Sequence, residues 1–283
     1  MMDNKICMVT GANSGMGKIT ALELAKAGAT VIMVCRDQKR GNDALSDVLM
    51  ESKSKKVELM LCDFASQKSI RNFAEEFKKK YDSLDVLVNN AGFVSPKREL
   101  TVDGVETTFA VNHLGYFLLT NLLIEPIKKS EAARIVNVSS DGHWLGNIDF
   151  DNLNSERGYM SFKAYANSKL ANILFTKELS RRLAGTNITT NCLHPGAVNT
   201  AFADNMPGIL KPLGKFVKSF LLSPEQGAQT QIYLATSPDV ANITGEYFSN
   251  KKVAKSSKTS RDPDIAKKLW KVSEQMTDIQ SHI

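Results

Sequence analysis

Thr10-Gly11-Ala12-Asn13-Ser14-Gly15-Met16-Gly17 follows the apolar run Ile6 to Val9 and opens the Ala/Leu/Lys-rich stretch Ser14 to Ala27, which stops at Gly28. That run has the composition of a buried strand, and the stretch after it has that of a helix ended by a C′ glycine. Three glycines between a strand and a helix have separate physical uses. One permits the tight turn, one lets the backbone approach a diphosphate, and one allows the helix to pack closely. The helix start then offers free N–H groups and a partial positive charge. A glycine triplet alone is weak evidence, whereas strand, glycines and helix in this order point to a dinucleotide cradle built on Gly11, Asn13, Ser14, Gly15, Met16 and Gly17.

The same alternation continues along the chain. Val31 to Cys35, Val57 to Cys62, Val86 to Asn89, Ile135 to Val138 and Ile188 to His194 are expected strands, several of them almost continuously apolar. Such runs belong to strands covered on both faces. Gln67 to Tyr81 places Ile70, Phe73, Ala74 and Phe77 on one helical face, with charges opposite. Strands alternating with helices imply an α/β, doubly wound parallel sheet of Rossmann type with helices on both faces. With no repeat and no linker before residue 200, residues 1–283 are expected to form a single NADP(H)-binding domain. A Pro-broken apolar segment, Ala201 to Leu222, suits either a substrate lid or an ordinary surface helix, and residues 251–283 form a C-terminal tail.

Composition excludes several classes. Only 25 of 283 residues are Gly or Pro, and 42% are hydrophobic, which argues against low-complexity and disordered chains. Apolar runs are too short to span a bilayer, and Met1 to Lys5 leaves no room for a secretory signal before the first strand. The expectation is a soluble, cytoplasmic protein with no integral membrane segment. A net charge of +6 is diffuse, and its densest stretch, Lys251 to Lys258, has no interleaved aromatics, so it suits a solvated loop better than nucleic acid. Cys7, Cys35, Cys62 and Cys192 form no CxxC pair and are expected as buried thiols. His113, His143, His194 and His282 show no ligand spacing, so no metal is expected.

The end of the second expected strand bears on cofactor choice. An NAD site places an acidic side chain there to bind the ribose hydroxyls. Here Cys35 is followed by Arg36, whose guanidinium suits a 2′-phosphate. Lys18 adds positive charge nearby, and a one-residue shift would instead bring Asp37 to the ribose. NADP(H) is the expected cofactor.

For acid–base chemistry, a tyrosine and a lysine four apart share a helical face. A nearby ammonium, together with the positive ring of a bound nicotinamide, would stabilise the phenolate and draw the phenol toward the working range. Three pairs have that spacing, Tyr159–Lys163, Tyr165–Lys169 and Tyr247–Lys251, so spacing alone does not choose.

Six elements occur in order: the TGxxxGxG of Thr10 to Gly17, Asn89-Asn90-Ala91-Gly92, Asn112, Val138-Ser139-Ser140, Tyr165-Ala-Asn-Ser-Lys169 and Pro195-Gly196. Together they resemble the short-chain dehydrogenase/reductase family over about residues 4 to 250. Val34 to Asp37, Val111 to Gly115, Ser168 to Phe175, Gly245 to Ser249 and Leu269-Trp270 resemble its retinol dehydrogenase-like branch, with protochlorophyllide reductase a more distant likeness.

The resemblance implies roles. Tyr165 matches the proton donor, and Lys169 the lysine that lowers its pKa and holds the nicotinamide ribose. Ser140 rather than Ser139 matches the substrate-orienting serine, 25 residues before the tyrosine. Asn112 matches a residue supporting a proton-relay water. Asn90, Ala91 and Gly92 would lie along the cofactor, Asp63 and Phe64 at its adenine side, and Pro195, Gly196, Val198 and Thr200 at the nicotinamide. The expected activity is hydride transfer from NADPH to an apolar aldehyde or ketone, or the reverse alcohol oxidation. A non-catalytic NADP(H) sensor and a reductase of activated C=C bonds are the alternatives. Ala164, Ala166, Ser168 and Ala171 permit close packing against the sheet or against a second subunit in a homodimer.

Overall fold

A computed structural model describes residues 2–196, 222–281 and 283. Eight strands form one sheet: β1 (Ile6–Thr10), β2 (Thr30–Cys35), β3 (Val57–Leu61), β4 (Val86–Asn89), β5 (Arg134–Val138), β6 (Thr189–His194), β7 (Tyr247–Ser249) and β8 (Lys252–Val253). Their order is β3-β2-β1-β4-β5-β6-β7-β8, parallel throughout except for the β7–β8 pair. The chain turns back between β1 and β4, so the ends of those strands open onto a crevice where ligands bind in such sheets.

The apolar strand sequences follow from burial on both faces. Met8, Ile32, Val34, Leu87 and Ile135 enter one core, while Cys7, Val9, Val31, Met33 and Val136 enter the other. Helices α1 (Gly15–Lys26), α2 (Gln38–Ser52), α3 (Gln67–Lys80), α4 (Gly115–Leu122), α5 (Ser161–Arg182), α6 (Pro224–Thr236) and α7 (Pro263–Thr277) are joined by shorter helical turns. In α3 the expected face of Ile70, Phe73, Ala74 and Phe77 is buried, Ser66 caps the start, and three lysines close the last turn.

The doubly wound parallel sheet agrees with the fold expected from the sequence. The six expected strands lie within one or two residues of those observed. The last two strands went unforeseen because segments of three and two residues are too short to show a period. The tail is an integral part of the core. Trp270 of α7 is 1% exposed and stacks on Phe175 of α5 at 5.8 Å, edge-on to Phe117 of α4 at 4.9 Å. In the stretch Lys251 to Lys258 the lysines are solvated as expected, but Ser256 and Ser257 between them are buried. All four cysteines are buried and free, and burial pushes the thiols of Cys62 and Cys192 up to about 12. Ala164, Ala166, Ser168 and Ala171 are buried within the chain, so that stripe carries no argument for a second subunit. Among the described residues no helix is long and apolar enough to cross a membrane, and no cluster of His, Cys, Asp or Glu could hold a metal.

Candidate active site

The glycine turn lies at the end of β1. Gly11 and Gly15 have positive φ, +67° and +54°. A Cβ on Gly17 would stand 2.4 Å from the Gly11 carbonyl oxygen and 2.6 Å from Asn90 Nδ2, so helix and turn touch there. A Cβ on Gly15 would meet nothing within 4 Å, which leaves open space over the turn. Ser14 makes no side-chain cap to α1, and no acidic residue occupies its first turn. Free N–H groups facing an open concavity, with no carboxylate competing, fit a diphosphate.

Thr10 ties this turn to the neighbouring loop. Its hydroxyl accepts from the N–H groups of Asn90 and Ala91, each at 2.9 Å, and its carbonyl accepts from Asn90 Nδ2 at 2.7 Å. At the end of β2, Arg36 is exposed. Asp37 is the N-cap of α2, its carboxylate accepting from the Arg40 N–H at 2.8 Å. Lys18 Nζ is paired with Asp47 of α2 at 2.5 Å. After β3, Asp63 Oδ1 accepts from the Ala65 N–H at 3.0 Å. After it, the Phe64 ring belongs to the core and packs against Gly115, so any contact of Phe64 with a ligand is through its main chain.

The catalytic candidates gather where β4, β5 and α5 meet. Ser140 lies two residues past β5 and caps a 3-10 turn, Asp141–Leu145, its Oγ accepting from the Gly142 N–H at 3.1 Å. The same hydroxyl faces the Tyr165 ring across Gly142, where a Cβ would stand 3.5 Å from Ser140 Oγ and 3.4 Å from Tyr165 Cε1. Ser139 points the other way, its buried Oγ donating to the Lys169 carbonyl at 2.7 Å. One helical turn beyond Tyr165, Lys169 is 4% exposed and its Nζ donates to the Val138 carbonyl at 3.0 Å. That ammonium lies 5.6 Å from the Tyr165 ring centroid and 6.0 Å from that of Tyr116.

Electrostatics here depart from the sequence reading. Burial pushes Lys169 down from 10.5 to about 7 and holds Tyr165 above its ordinary value of 10, with the nearby Ser140 hydroxyl acting the other way. In the cofactor-free protein desolvation is thus the larger influence on the phenol.

Asn112 sits in a π-helical turn, Ala110–Leu114, of the kind often found at functional sites. Its amide is fully engaged, with Oδ1 accepting from the Phe93 N–H and Nδ2 donating to the Phe93 carbonyl and to Ser168 Oγ, at 2.9, 3.0 and 3.0 Å. Gly92 leans on the same group, its Cβ position 3.2 Å from Asn112 Oδ1 and 3.6 Å from Lys169 Nζ.

The rival tyrosines are committed elsewhere. Tyr159 precedes α5 and donates to the Ser95 carbonyl at 2.8 Å, while Tyr247 donates to Asp141 Oδ1 at 2.7 Å. Pro195 and Gly196 follow β6, Gly196 with φ +89°. Val198, Thr200 and the expected lid, except Leu222, lie outside the described residues. Sequence reasoning missed Asp141, His143, His194 and Tyr247, which surround Ser140; no local motif marks them.

Comparison with known proteins agrees with this arrangement. The family model "short chain dehydrogenase" matches residues 5–207. The chain belongs to the short-chain dehydrogenase/reductase family, in its retinol dehydrogenase-like branch. It is 45% identical to human retinol dehydrogenase 14, over 99% of this chain and 88% of that protein. With mouse retinol dehydrogenase 12 it shares 43% identity, over 98% and 87%. A crystal structure of a Mycobacterium paratuberculosis protein superposes with TM-score 0.82 at 34% identity, covering 100% of this chain and 96% of that one. The Pseudomonas aeruginosa RhlG/NADP active-site complex superposes with TM-score 0.69 at 25% identity, covering 87% and 94%. The chain is thus an oxidoreductase of this family.

Proposed function

We propose that this chain is an NADPH-dependent reductase of apolar aldehydes or ketones, also able to run the reverse alcohol oxidation. The observation that carries the reading is the convergence of Ser140 Oγ and the Tyr165 ring on one point over Gly142, with the buried Lys169 one turn along α5. Two hydroxyls side by side suit one carbonyl oxygen. Ser140 holds that oxygen, and Tyr165 donates the proton as it becomes an alkoxide. Lys169 supplies positive charge beneath the phenol and reaches toward the ribose position. The nicotinamide, when bound, supplies the hydride.

Preference for the phosphorylated cofactor rests on Arg36, exposed at the end of β2, and on Asp37, whose carboxylate is spent as a helix cap. A neighbour solved with NADP is consistent with it. Apolar substrates suit Trp144 and Leu145, half or more exposed in the Ser140 turn, and Phe162, whose ring centroid is 6.5 Å from that of Tyr165. The names of the retinol dehydrogenases point the same way.

The test is cofactor oxidation with NADPH and NADH separately, against retinal, medium-chain aldehydes and aromatic ketones, with Tyr165→Phe as control. Turnover with NADPH that the variant loses is the expected result. NADPH binding without turnover on any carbonyl would turn the reading toward a sensor.

A further inference from the structure

Two histidines that no motif includes bracket the turn that carries Ser140. His143, within that turn, is fully buried. Its Nε2 receives the Ser257 main-chain N–H at 3.1 Å. A backbone N–H can only donate, so Nε2 must offer a lone pair, and the ring proton of the neutral imidazole sits on Nδ1. That nitrogen lies 2.8 Å from the Ser140 carbonyl oxygen, to which it donates. The His143 N–H donates to the same oxygen at 3.0 Å. Ser140 is thus held by its carbonyl while its hydroxyl accepts from Gly142.

His194, the last residue of β6, repeats the logic with the nitrogens exchanged. The Asp141 N–H donates to His194 Nδ1 at 3.2 Å, which makes Nδ1 the lone-pair nitrogen and puts the proton on Nε2. That Nε2 lies 3.2 Å from Asp141 Oδ2. The other carboxylate oxygen, Oδ1, accepts from the Tyr247 hydroxyl at 2.7 Å. Asp141 follows Ser140 directly, so two consecutive residues at the start of the turn are pinned by rings whose tautomers are set by main-chain donors. Tyr247 and Ser257 belong to the segment after residue 245, which thereby reaches the serine.

We propose that His143 and His194 are positioning residues that hold the Ser140 hydroxyl beside Tyr165, and that they act as neutral rings of opposite tautomer, His143 with its proton on Nδ1 and His194 on Nε2. The inference rests on the reading of Ser140 as the serine that holds the substrate oxygen.

The first measurement needs no turnover. Long-range proton–nitrogen correlation spectra of the ¹⁵N-histidine-labelled full chain at pH 8, assigned with His143→Gln and His194→Gln, should show a protonated Nδ1 for His143 and a protonated Nε2 for His194. The same tautomer for both, or a charged ring at either position, overturns the proposal. The second is a double-mutant cycle on kcat. His143→Leu should lower kcat by up to about 100-fold, the cost of a displaced catalytic group, with NADPH affinity unchanged. In the Ser140→Ala background the same change should do almost nothing, and His143→Asn, which keeps a donor toward the Ser140 carbonyl, should recover part of the loss. Multiplicative losses in the double variant would mean that His143 supports only the fold and would overturn the positioning role. Opposite tautomers together with no carbonyl turnover in the unmodified protein would instead sink the reductase reading and leave the tautomer assignment standing.

Discussion

Lys169 Nζ and Asn172 Nδ2 donate to one oxygen, the main-chain carbonyl of Val138, at 3.0 and 3.1 Å. That carbonyl ends β5 and fixes the lysine at the crevice, but among the described residues no carboxylate is paired with its ammonium. Burial accordingly drops its pKa from 10.5 to about 7. The linkage has a definite sign. Between those two values the unfolded chain holds a proton that the folded chain lacks, so stability rises with pH across the window. Below about 7 both states are protonated, and the full cost of the buried charge remains. Lys169→Met keeps the length, removes the charge and leaves Asn172 on the carbonyl. The cofactor-free variant should melt higher than the unmodified protein at pH 6, by about 2–4 °C for each kcal/mol relieved, with the gap narrowing as pH rises toward 10. Turnover should vanish. A lower Tm at pH 6 would show that the ammonium stabilises its site.

Tyr165 and the two adjacent serines separate chemistry from packing. Tyr165→Phe removes the proton donor and should cost at least the ~10²–10⁴ in kcat that such donation contributes, with NADPH affinity nearly intact. Ser140→Ala should also lower kcat with little change in Tm. Ser139→Ala should do the reverse. It deletes a buried hydrogen bond to the Lys169 carbonyl, worth about 1 kcal/mol, and should lower Tm more than kcat. Equal effects of the two serine variants on both quantities would contradict this division.

Arg36 and Asp37 are adjacent and exposed, yet only one is free to meet a ribose phosphate. Asp37 accepts from the Arg40 N–H at the start of α2, so Asp37→Ala should cost about 1 kcal/mol of stability as a lost N-cap and leave the NADPH/NADH ratio unchanged. Arg36→Ala should cut kcat/KM for NADPH by at least 10-fold and spare NADH, since bidentate contact with a phosphate is worth ~1.5–3 kcal/mol. Kinetics with both cofactors decide it; a ratio that shifts for Asp37→Ala and not for Arg36→Ala would reverse the assignment.

The glycines of the turn should also come apart. An added methyl on Gly17 collides with the Gly11 carbonyl at 2.4 Å, so Gly17→Ala must move the helix from the turn and should lower the cofactor-free Tm. Gly15→Ala meets no neighbour but forces alanine to φ +54°, a strain of ~1–2 kcal/mol, and puts a methyl in the open concavity. It should weaken NADPH binding more than its small loss of Tm suggests. Calorimetric unfolding and NADPH titration of both variants check the contrast.

The legible parts were those whose cause is local. Met8, Val31 and Val34 are apolar because the sheet is covered on both sides, and that shows as an unbroken run. The glycine turn shows because its conformation is encoded in three residues. Tyr165 and Lys169 could be proposed from spacing, yet Tyr159–Lys163 and Tyr247–Lys251 had the same spacing; what separates them is the company each phenol keeps. Spacing also could not show desolvation, which in the cofactor-free protein holds the Tyr165 phenol up. His143 was illegible for a different reason: its fixing partner, Ser257, is 114 residues away, in a stretch whose exposed lysines masked two buried serines. That the Phe64 ring turns into the core was illegible, because adjacency to Asp63 does not say which way a ring points after a strand ends.

Trp270 gives the C-terminal helix a test of its own. Its indole stacks on Phe175, less than two turns along α5 from Lys169, and Arg182 of the same helix lies 4.3 Å from its ring centroid. Removing so large a fully buried ring leaves a cavity between α4, α5 and α7, and Trp270→Ala should cost ~3–5 kcal/mol. The indole N–H finds no partner among the described residues, so Trp270→Phe forfeits area but no hydrogen bond and should cost clearly less. Because α5 carries Tyr165 and Lys169 rigidly, loosening its outer face should reach catalysis through positioning. Trp270→Ala, assayed well below its own Tm, should show reduced kcat with NADPH affinity kept, as the cradle on α1 lies across the sheet. Unchanged kcat alongside the lowered Tm would show that α5 is held in place by β5 and β6 alone.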